Sequence, residues 1–242
     1  MDISSAKIGR QLSCSDGTFC NPGGTALNAQ KIETSGSVFL TGEFTAEGEV
    51  SLSGVKISGE LDCSGGTFRN PGSTALYARN IETSAGVFLA GGFVAEGTVW
   101  LASAKIGGEL DLRRGVFKDK LVLKHAVVPK LVDEKKCRPK RGMLFLDGFQ
   151  YEELADESSV GWEDRLVWLE RQEEFVPGRY EQLAKVYRAR RDAHAARKVL
   201  IAVGVMFEQL GFRLIACIRT STKRIPGNRQ PPSTLKSHPP HP

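Results

Sequence analysis

Cysteine and histidine are the residue types through which this chain could bind a metal ion or perform nucleophilic chemistry. Two of its five cysteines, Cys14 and Cys63, occupy equivalent positions in two similar segments. Zinc sites and Cys–His catalytic pairs need ligands at defined spacings, but neither cysteine has a histidine nearby in sequence. The four histidines are scattered, at His125, His194, His238 and His241. We therefore predict no metal site and no catalytic site, and we interpret both cysteines as small buried hydrophobic residues.

A nucleotide cofactor would need a glycine-rich turn between a strand and a helix, so that backbone N–H groups can reach its phosphates. The sequence contains no G-x-G-x-x-G or P-loop pattern. We predict no bound cofactor.

Two other features could mediate binding. Residues 124–141 contain seven Lys or Arg and only two acidic residues; such a loop can bind nucleic acid or anionic lipid, or can simply be solvated. It lacks the interleaved aromatic residues of single-strand binders. Strand alternation points Trp100 outwards, where a partner or a folded-back helix could cover it. The candidate interaction residues are Trp100, Lys135, Lys136, Arg138, Lys140 and Arg141.

A repeated architecture must position these residues. Aligning residues 8–56 with 57–105 gives 29 identities in 49 positions without a gap. Within each copy, short apolar-x-apolar segments recur every 11 to 13 residues, separated by stretches rich in Gly, Ser, Thr, Asn and Asp. Such segments are too short for helices and are typical of short strands joined by tight turns.

The constant stride indicates stacked parallel coils, because the hairpins of a β-sandwich need no fixed repeat length. Two segments make one coil, and ten segments make about five. The predicted fold is mainly β, a parallel β-helix (solenoid) of about five coils with an α-helical C-terminal cap. The duplication then spans two coils, so Cys14 and Cys63 should share one interior column, about 10 Å apart and beyond disulfide reach.

The stretches NPGG at 21–24 and NPGS at 70–73 are predicted to form a coil corner widened by two residues. Asn and Gly tolerate positive φ, and Pro favours a turn. A functional loop is the alternative.

Three segments follow from these patterns. Residues 1–154 should form the solenoid, closed by a last strand within 143–154. Residues 155–218 should form a helical cap with a TPR-like hairpin, whose apolar stripes fit either core packing or a peptide-binding groove. Residues 219–242 are basic and rich in Pro and should be a disordered tail. The chain starts inside a coil, which predicts either end-to-end self-association through that coil or further repeats upstream.

The stretches SGVKISGELDCSGGTF, ASAKIGGELDLRRGVF and YEQLAKVYRARRDAHAARKVLIA resemble a group of actinobacterial solenoid proteins related in style to pentapeptide-repeat proteins. The resemblance covers residues 3 to about 203. Proteins of that group are often labelled membrane-associated oxidoreductases, so the resemblance implies membrane association and an oxidoreductase activity. The C-terminal tail departs from the apolar stretches found there in the group.

Composition completes the prediction. Residues 1–117 hold nine basic and twelve acidic residues, against 24 and 16 in residues 118–242. Cysteine usage and the lack of a signal segment favour a cytoplasmic protein, with peripheral membrane attachment as the alternative. Our leading hypothesis is a non-catalytic scaffold that presents polar faces and a basic C-terminal half to a protein partner or membrane surface. The alternatives are nucleic-acid association or DNA mimicry, and the oxidoreductase that the resemblance implies.

Overall fold

The computed structural model describes residues 1–155, 161–172 and 174–206. Short strands wind through most of this range. The first two turns contain β1 (Lys7–Ile8), β2 (Leu12–Ser13), β3 (Thr18–Asn28), β4 (Glu33–Thr34), β5 (Val38–Phe39) and β6 (Thr45–Ser51). The next two contain β7 (Lys56–Ile57), β8 (Leu61–Asp62), β9 (Thr67–Tyr77), β10 (Glu82–Thr83), β11 (Val87–Phe88) and β12 (Val94–Trp100). The remaining strands are β13 (Lys105–Ile106), β14 (Glu109–Asp111), β15 (Val116–Phe117), β16 (Leu121–Val122), β17 (Val127–Val132), β18 (Leu144–Phe145) and β19 (Gln150–Leu154).

The strands pair in parallel with those of the neighbouring turns. One sheet has the order β1-β4-β7-β10-β13-β17-β14-β11-β8-β5-β2, with β19 also paired to β17. The other has the order β18-β16-β12-β9-β6-β3, with β15 also paired to β12. The predicted parallel solenoid is confirmed. It has about six turns rather than five, because the chain keeps winding after Val128, and β18 and β19 each pair with the preceding turn.

The stride of the winding explains the sequence duplication. Along one line of paired residues, successive partners are 26, 23, 26 and 23 positions apart. That line consists of Lys7, Glu33, Lys56, Glu82 and Lys105. Two turns therefore take up 49 residues, so the duplicated unit is two turns, as the sequence predicts.

The interior consists of columns in which one side chain per turn stacks on the next. Ser13, Phe39, Asp62 and Phe88 are paired in register, and the residue after each of them points inwards. The resulting column contains Cys14, Leu40, Cys63, Leu89 and Leu112. The prediction that Cys14 and Cys63 share an interior column is thus confirmed. Both cysteines are free thiols, and Cys63 is completely buried.

A second column is aromatic. Neighbouring ring centroids lie 5.1 to 5.6 Å apart, within the favourable range for tilted aromatic pairs. The column contains Phe19, Phe44, Phe68, Phe93 and Phe117. The three central rings are fully buried, so the column is a continuous part of the core.

The NPGG and NPGS stretches form bulges inside β3 and β9 rather than corners between strands. Cys20 pairs with Glu47 and Leu27 with Val50, so β3 has four more residues than β6 between these two pairs, rather than two. The same difference separates β9 from β6, between the pairs Arg69–Glu47 and Leu76–Val50. In the second bulge Asn70 Nδ2 donates a hydrogen bond to Thr74 O at 2.7 Å. Gly97 of the next turn faces this bulge at φ +141°, and a Cβ there would lie 2.5 Å from the carbonyl oxygen of Asn70.

Helices follow the last strand. They are α1 (Trp162–Glu170) and α2 (Pro177–Ala189), and residues 193–206 are also helical. The apolar stripe of α2 (Tyr180, Leu183, Val186 and Tyr187) is buried. Residues 1–201 form one compact unit, and residues 202–206 are the described start of a second. The predicted cap over 155–218 lies partly outside the described residues, and the predicted tail over 219–242 lies wholly outside them.

Candidate functional site

Trp100 ends β12 on the outer side of the solenoid. Its neighbours Val99 and Leu101 are fully buried, whereas Trp100 is half-buried. It pairs with Tyr77 in the preceding turn and with Val122 in the next. This outward position is the one that strand alternation predicts. We call the column of residues in register with Trp100 the aromatic face; it contains Tyr77, Trp100, Val122 and Phe145. Its three aromatic side chains are half-buried, whereas Val122 is buried.

Basic side chains flank the aromatic face. Lys124 Nζ lies 5.4 Å from the centroid of the Phe145 ring, close enough for a cation–π contact. Lys120 is exposed directly before β16, and the exposed residues Lys140 and Arg141 precede β18. Because β12, β16 and β18 are successive strands of one sheet, the fold brings Lys140 and Arg141 to the same sheet as Trp100.

The other predicted residues of the basic segment differ in accessibility. Lys135 and Lys136 are exposed in a short 3-10 helix, and Lys135 forms an ion pair with Asp164. Arg138 is buried, with 3% of its side chain exposed, so it is not available to a partner in this conformation. The interaction surface predicted from the sequence remains a prediction, and its accessible members are the other five residues.

Arg138 belongs instead to a buried ionic group that we call the cap cluster, formed by Asp133, Arg138 and Arg165. Arg138 Nε donates to Asp133 Oδ2 at 3.1 Å, and Arg165 Nη1 lies 2.6 Å from Asp133 Oδ1. Both guanidinium groups also lie over the Trp168 ring, 6.0 and 5.5 Å from its centroid. Burial lowers the pKa of Arg138, which Asp133 partly offsets. The cluster joins α1 to the last turns of the solenoid.

Sequence reasoning missed the cap cluster, although one signal was present. Leu112 donates its backbone N–H to Val132 O, so Asp133 occupies the next position of the interior column that contains Cys63 and Leu112. A carboxylate at an interior position requires a buried cation. Which arginine supplies it depends on the position of α1, and the repeat pattern does not reach that far.

Asp147 makes a second ionic connection, from the last turn to α2. Lys124 Nζ lies 2.8 Å from Asp147 Oδ2, and Arg179 donates a hydrogen bond to Asp147 Oδ1. Burial alone would raise the pKa of Asp147, but the hydrogen bonds from Lys124 and Arg179 outweigh it. The pKa of Asp147 is therefore lowered from its ordinary value of 3.8.

Lysine and glutamate alternate along another side of the solenoid, which we call the charged face: Lys7, Glu33, Lys56, Glu82 and Lys105. Glu33 lies 3.7 Å from the ammonium groups of both Lys7 and Lys56, and Lys105 Nζ lies 2.7 Å from Glu82 Oε1. The hydrogen bond from Lys105 lowers the pKa of Glu82. Sequence reasoning did not identify this face; the recurring Lys-Ile and Glu-Thr pairs were its signal.

An open groove of about 990 Å³ runs beside the charged face and extends from Lys7 to Val127. Small residues follow the strands along it, one in each turn: Gly9, Ser35, Ser58, Ser84 and Gly107. The lining of the groove therefore combines the long side chains of the charged face with this column of short residues.

Two of the thiols, those of Cys63 and Cys137, are buried. Burial raises the pKa of Cys63 well above 9.0, and burial raises that of Cys137 to about 11. Within the described ranges, no group of three or more His, Cys, Asp or Glu side chains could hold a metal ion.

No family model matches the chain, and searches of curated proteins and of solved structures find no similar protein. Among the helices of residues 1–155, 161–172 and 174–206, none is long and apolar enough to cross a membrane. The parallel solenoid is compatible with a pentapeptide-repeat-like fold.

Proposed function

We propose that this protein is a non-catalytic scaffold whose aromatic face binds an acidic segment of a protein partner. The observation that carries the proposal is the position of Trp100, half-buried in the aromatic face between Tyr77 and Val122. Large aromatic side chains and arginines dominate the binding energy of protein interfaces. A rigid sheet that presents a tryptophan at its surface suits such an anchor.

Charge selects the partner. The exposed residues Lys120, Lys140 and Arg141 border the aromatic face, which favours a negatively charged segment. Nucleic acid is less favoured, because it requires a continuous positive strip. Here Asp147 lies 2.8 Å from Lys124, and Glu96 lies 2.7 Å from Lys118, so acidic groups interrupt the strip.

Membrane association, nucleic-acid binding and the oxidoreductase activity implied by the resemblance remain hypotheses of the sequence. Each would give a different result with defined probes. Anionic phosphatidylserine vesicles test the membrane surface, duplex and single-stranded DNA test the nucleic acid, and nicotinamide and flavin cofactors test the oxidoreductase.

The proposal can be tested with Trp100→Ser, which introduces the residue type that the preceding repeat has at Ser51. We expect this variant to fold with an unchanged circular dichroism spectrum and to lose at least about tenfold in affinity for its partner, as expected for an aromatic hot spot. Lys140→Ala/Arg141→Ala should weaken the same interaction and reduce its salt dependence. Lys105→Ala, on the charged face, is the matched control and should bind normally.

The partner is captured from the source cell by quantitative pull-down and then purified for titration. Capture that is equal for wild type and Trp100→Ser would overturn the proposal. Salt-dependent binding of the purified protein to DNA or to anionic vesicles, abolished by the same substitutions, would replace it by the corresponding alternative.

A further inference from the structure

We propose that the charged face is the interface between two antiparallel copies of this chain. This inference goes beyond the proposed function and does not depend on it, since the charged face and the aromatic face belong to different sheets. It rests on the alternation of charge, on the spacing of the turns, and on the groove beside the charged residues.

Spacing favours a second copy over other occupants. Each turn contributes one charged residue, and parallel strands repeat about every 4.8 Å. An extended peptide advances about 3.3 Å per residue and a helix about 5.4 Å per turn, so neither stays in step with five successive turns. A second solenoid has the same rise and stays in step along the whole face.

Charge and shape are self-complementary in this arrangement. In a two-fold interface the same surface patch is used by both subunits. The lysine and glutamate side chains of one copy can lie over the column of short Gly and Ser residues in the groove of the other. The reciprocal contact follows from the symmetry.

The alternation fixes the register. If equivalent turns met at the two-fold axis, Lys56 would face its own copy, and every pair of facing charges would have the same sign. Placing the axis between Lys56 and Glu82 makes these two residues face each other across the interface, and Glu33 faces Lys105. Lys7 then faces Val127, whose side chain is 44% exposed at the end of the groove. All six turns that border the groove are used.

The interface is short, roughly 24 Å for the five charged turns, and standard stable interfaces are larger. We therefore expect a weak dimer that forms at high micromolar concentration and dissociates as salt screens the ion pairs. Sedimentation equilibrium of the full chain over a concentration series, at low and high salt, measures this association directly.

Charge swaps test the register. Lys56→Glu replaces two attractive pairs by two repulsive ones and should lower the association constant by about tenfold or more. Lys56→Glu/Glu82→Lys restores opposite charges at the centre and should dimerise like wild type. The control, Glu33→Lys/Lys56→Glu, has the same net charge as the previous double variant and also creates two pairs of like-charged neighbours within each chain. It differs in leaving like charges facing each other across the interface. It should remain monomeric.

A second measurement is independent of variant folding. Carbodiimide cross-linking of a mixture of isotope-labelled and unlabelled wild-type protein should yield mixed-label links between Lys56 and Glu82. Mixed-label links between Glu33 and Lys56 instead would overturn the register. A strictly monomeric profile at high concentration and low salt would overturn the proposal, as would a dimer insensitive to all three variants, which would indicate end-to-end pairing through the first coil.

Discussion

Removing the carboxylate of Asp133 should be among the most damaging single changes to this protein. The three side chains of the cap cluster are each only 2 to 3% exposed, and Asp133→Ala leaves Arg138 and Arg165 buried without a counter-ion. Breaking a buried ion pair by removing one partner costs about 3–5 kcal/mol. Since 1 kcal/mol shifts Tm by about 2–4 °C in a domain of this size, thermal unfolding followed by circular dichroism should show a decrease of roughly 6–20 °C.

Two comparisons separate burial from charge. Glu82→Ala removes a carboxylate from an exposed ion pair with Lys105 and should leave Tm nearly unchanged. Replacing the whole cluster, with Asp133→Leu, Arg138→Leu and Arg165→Met together, should recover most of the loss, because apolar residues of similar volume often substitute for a buried ionic group without net cost. An unchanged Tm for Asp133→Ala, or a triple variant no more stable than the single one, would refute this account.

Three further predictions test the aromatic column, a bulge and the response to acid. Phe68→Ala removes the central ring of the column and should lower the free energy of unfolding by about 3–5 kcal/mol; Phe19→Ala, at the half-buried end, should cost clearly less, and equal losses in urea denaturation would contradict a stacked core. Gly97→Ala and Gly72→Ala both put a side chain at positive φ, but only at Gly97 would the Cβ meet the backbone of the adjacent turn, so Gly97→Ala should be the more destabilising in the same assay. Because the folded-state pKa of Asp147 lies below its unfolded value, the stability it contributes is present above about pH 4 and is lost as the pH falls through the folded value. Asp147→Asn should therefore lower Tm at neutral pH and flatten its decline in acid, and an unaltered acid profile would argue against this ionic connection.

The repeat made the architecture predictable, but the backbone conformation at the corners of the coils could not be predicted from it. Lys31, Gly54 and Asn80 occupy equivalent corners, and all three have positive φ, +56°, +66° and +54°. Glycine and asparagine adopt this conformation readily, whereas lysine does not. The stacked turns above and below impose it on Lys31, and a local propensity carries no information about those neighbours.

One part of the candidate site could be predicted from the sequence and another could not. The orientation of Trp100 follows from a period of two along a single strand, so the sequence was sufficient to predict it. The burial of Arg138 follows from its contact with Asp133 at an interior position and from the packing of α1 nearby. Neither fact can be inferred from the number of basic residues between 124 and 141. The sequence therefore predicted that Arg138 is accessible, like its exposed neighbours.

The carboxylate of Asp133 limits where further turns can be added to the solenoid. A turn inserted after this residue would separate Asp133 from Arg165 and leave a buried carboxylate without that ion pair. A turn duplicated earlier in the chain would only lengthen the apolar columns. Both copies of the 49-residue duplication lie before Asp133. Gene-level expansion and contraction of this solenoid should accordingly be confined to the coils that come before Asp133.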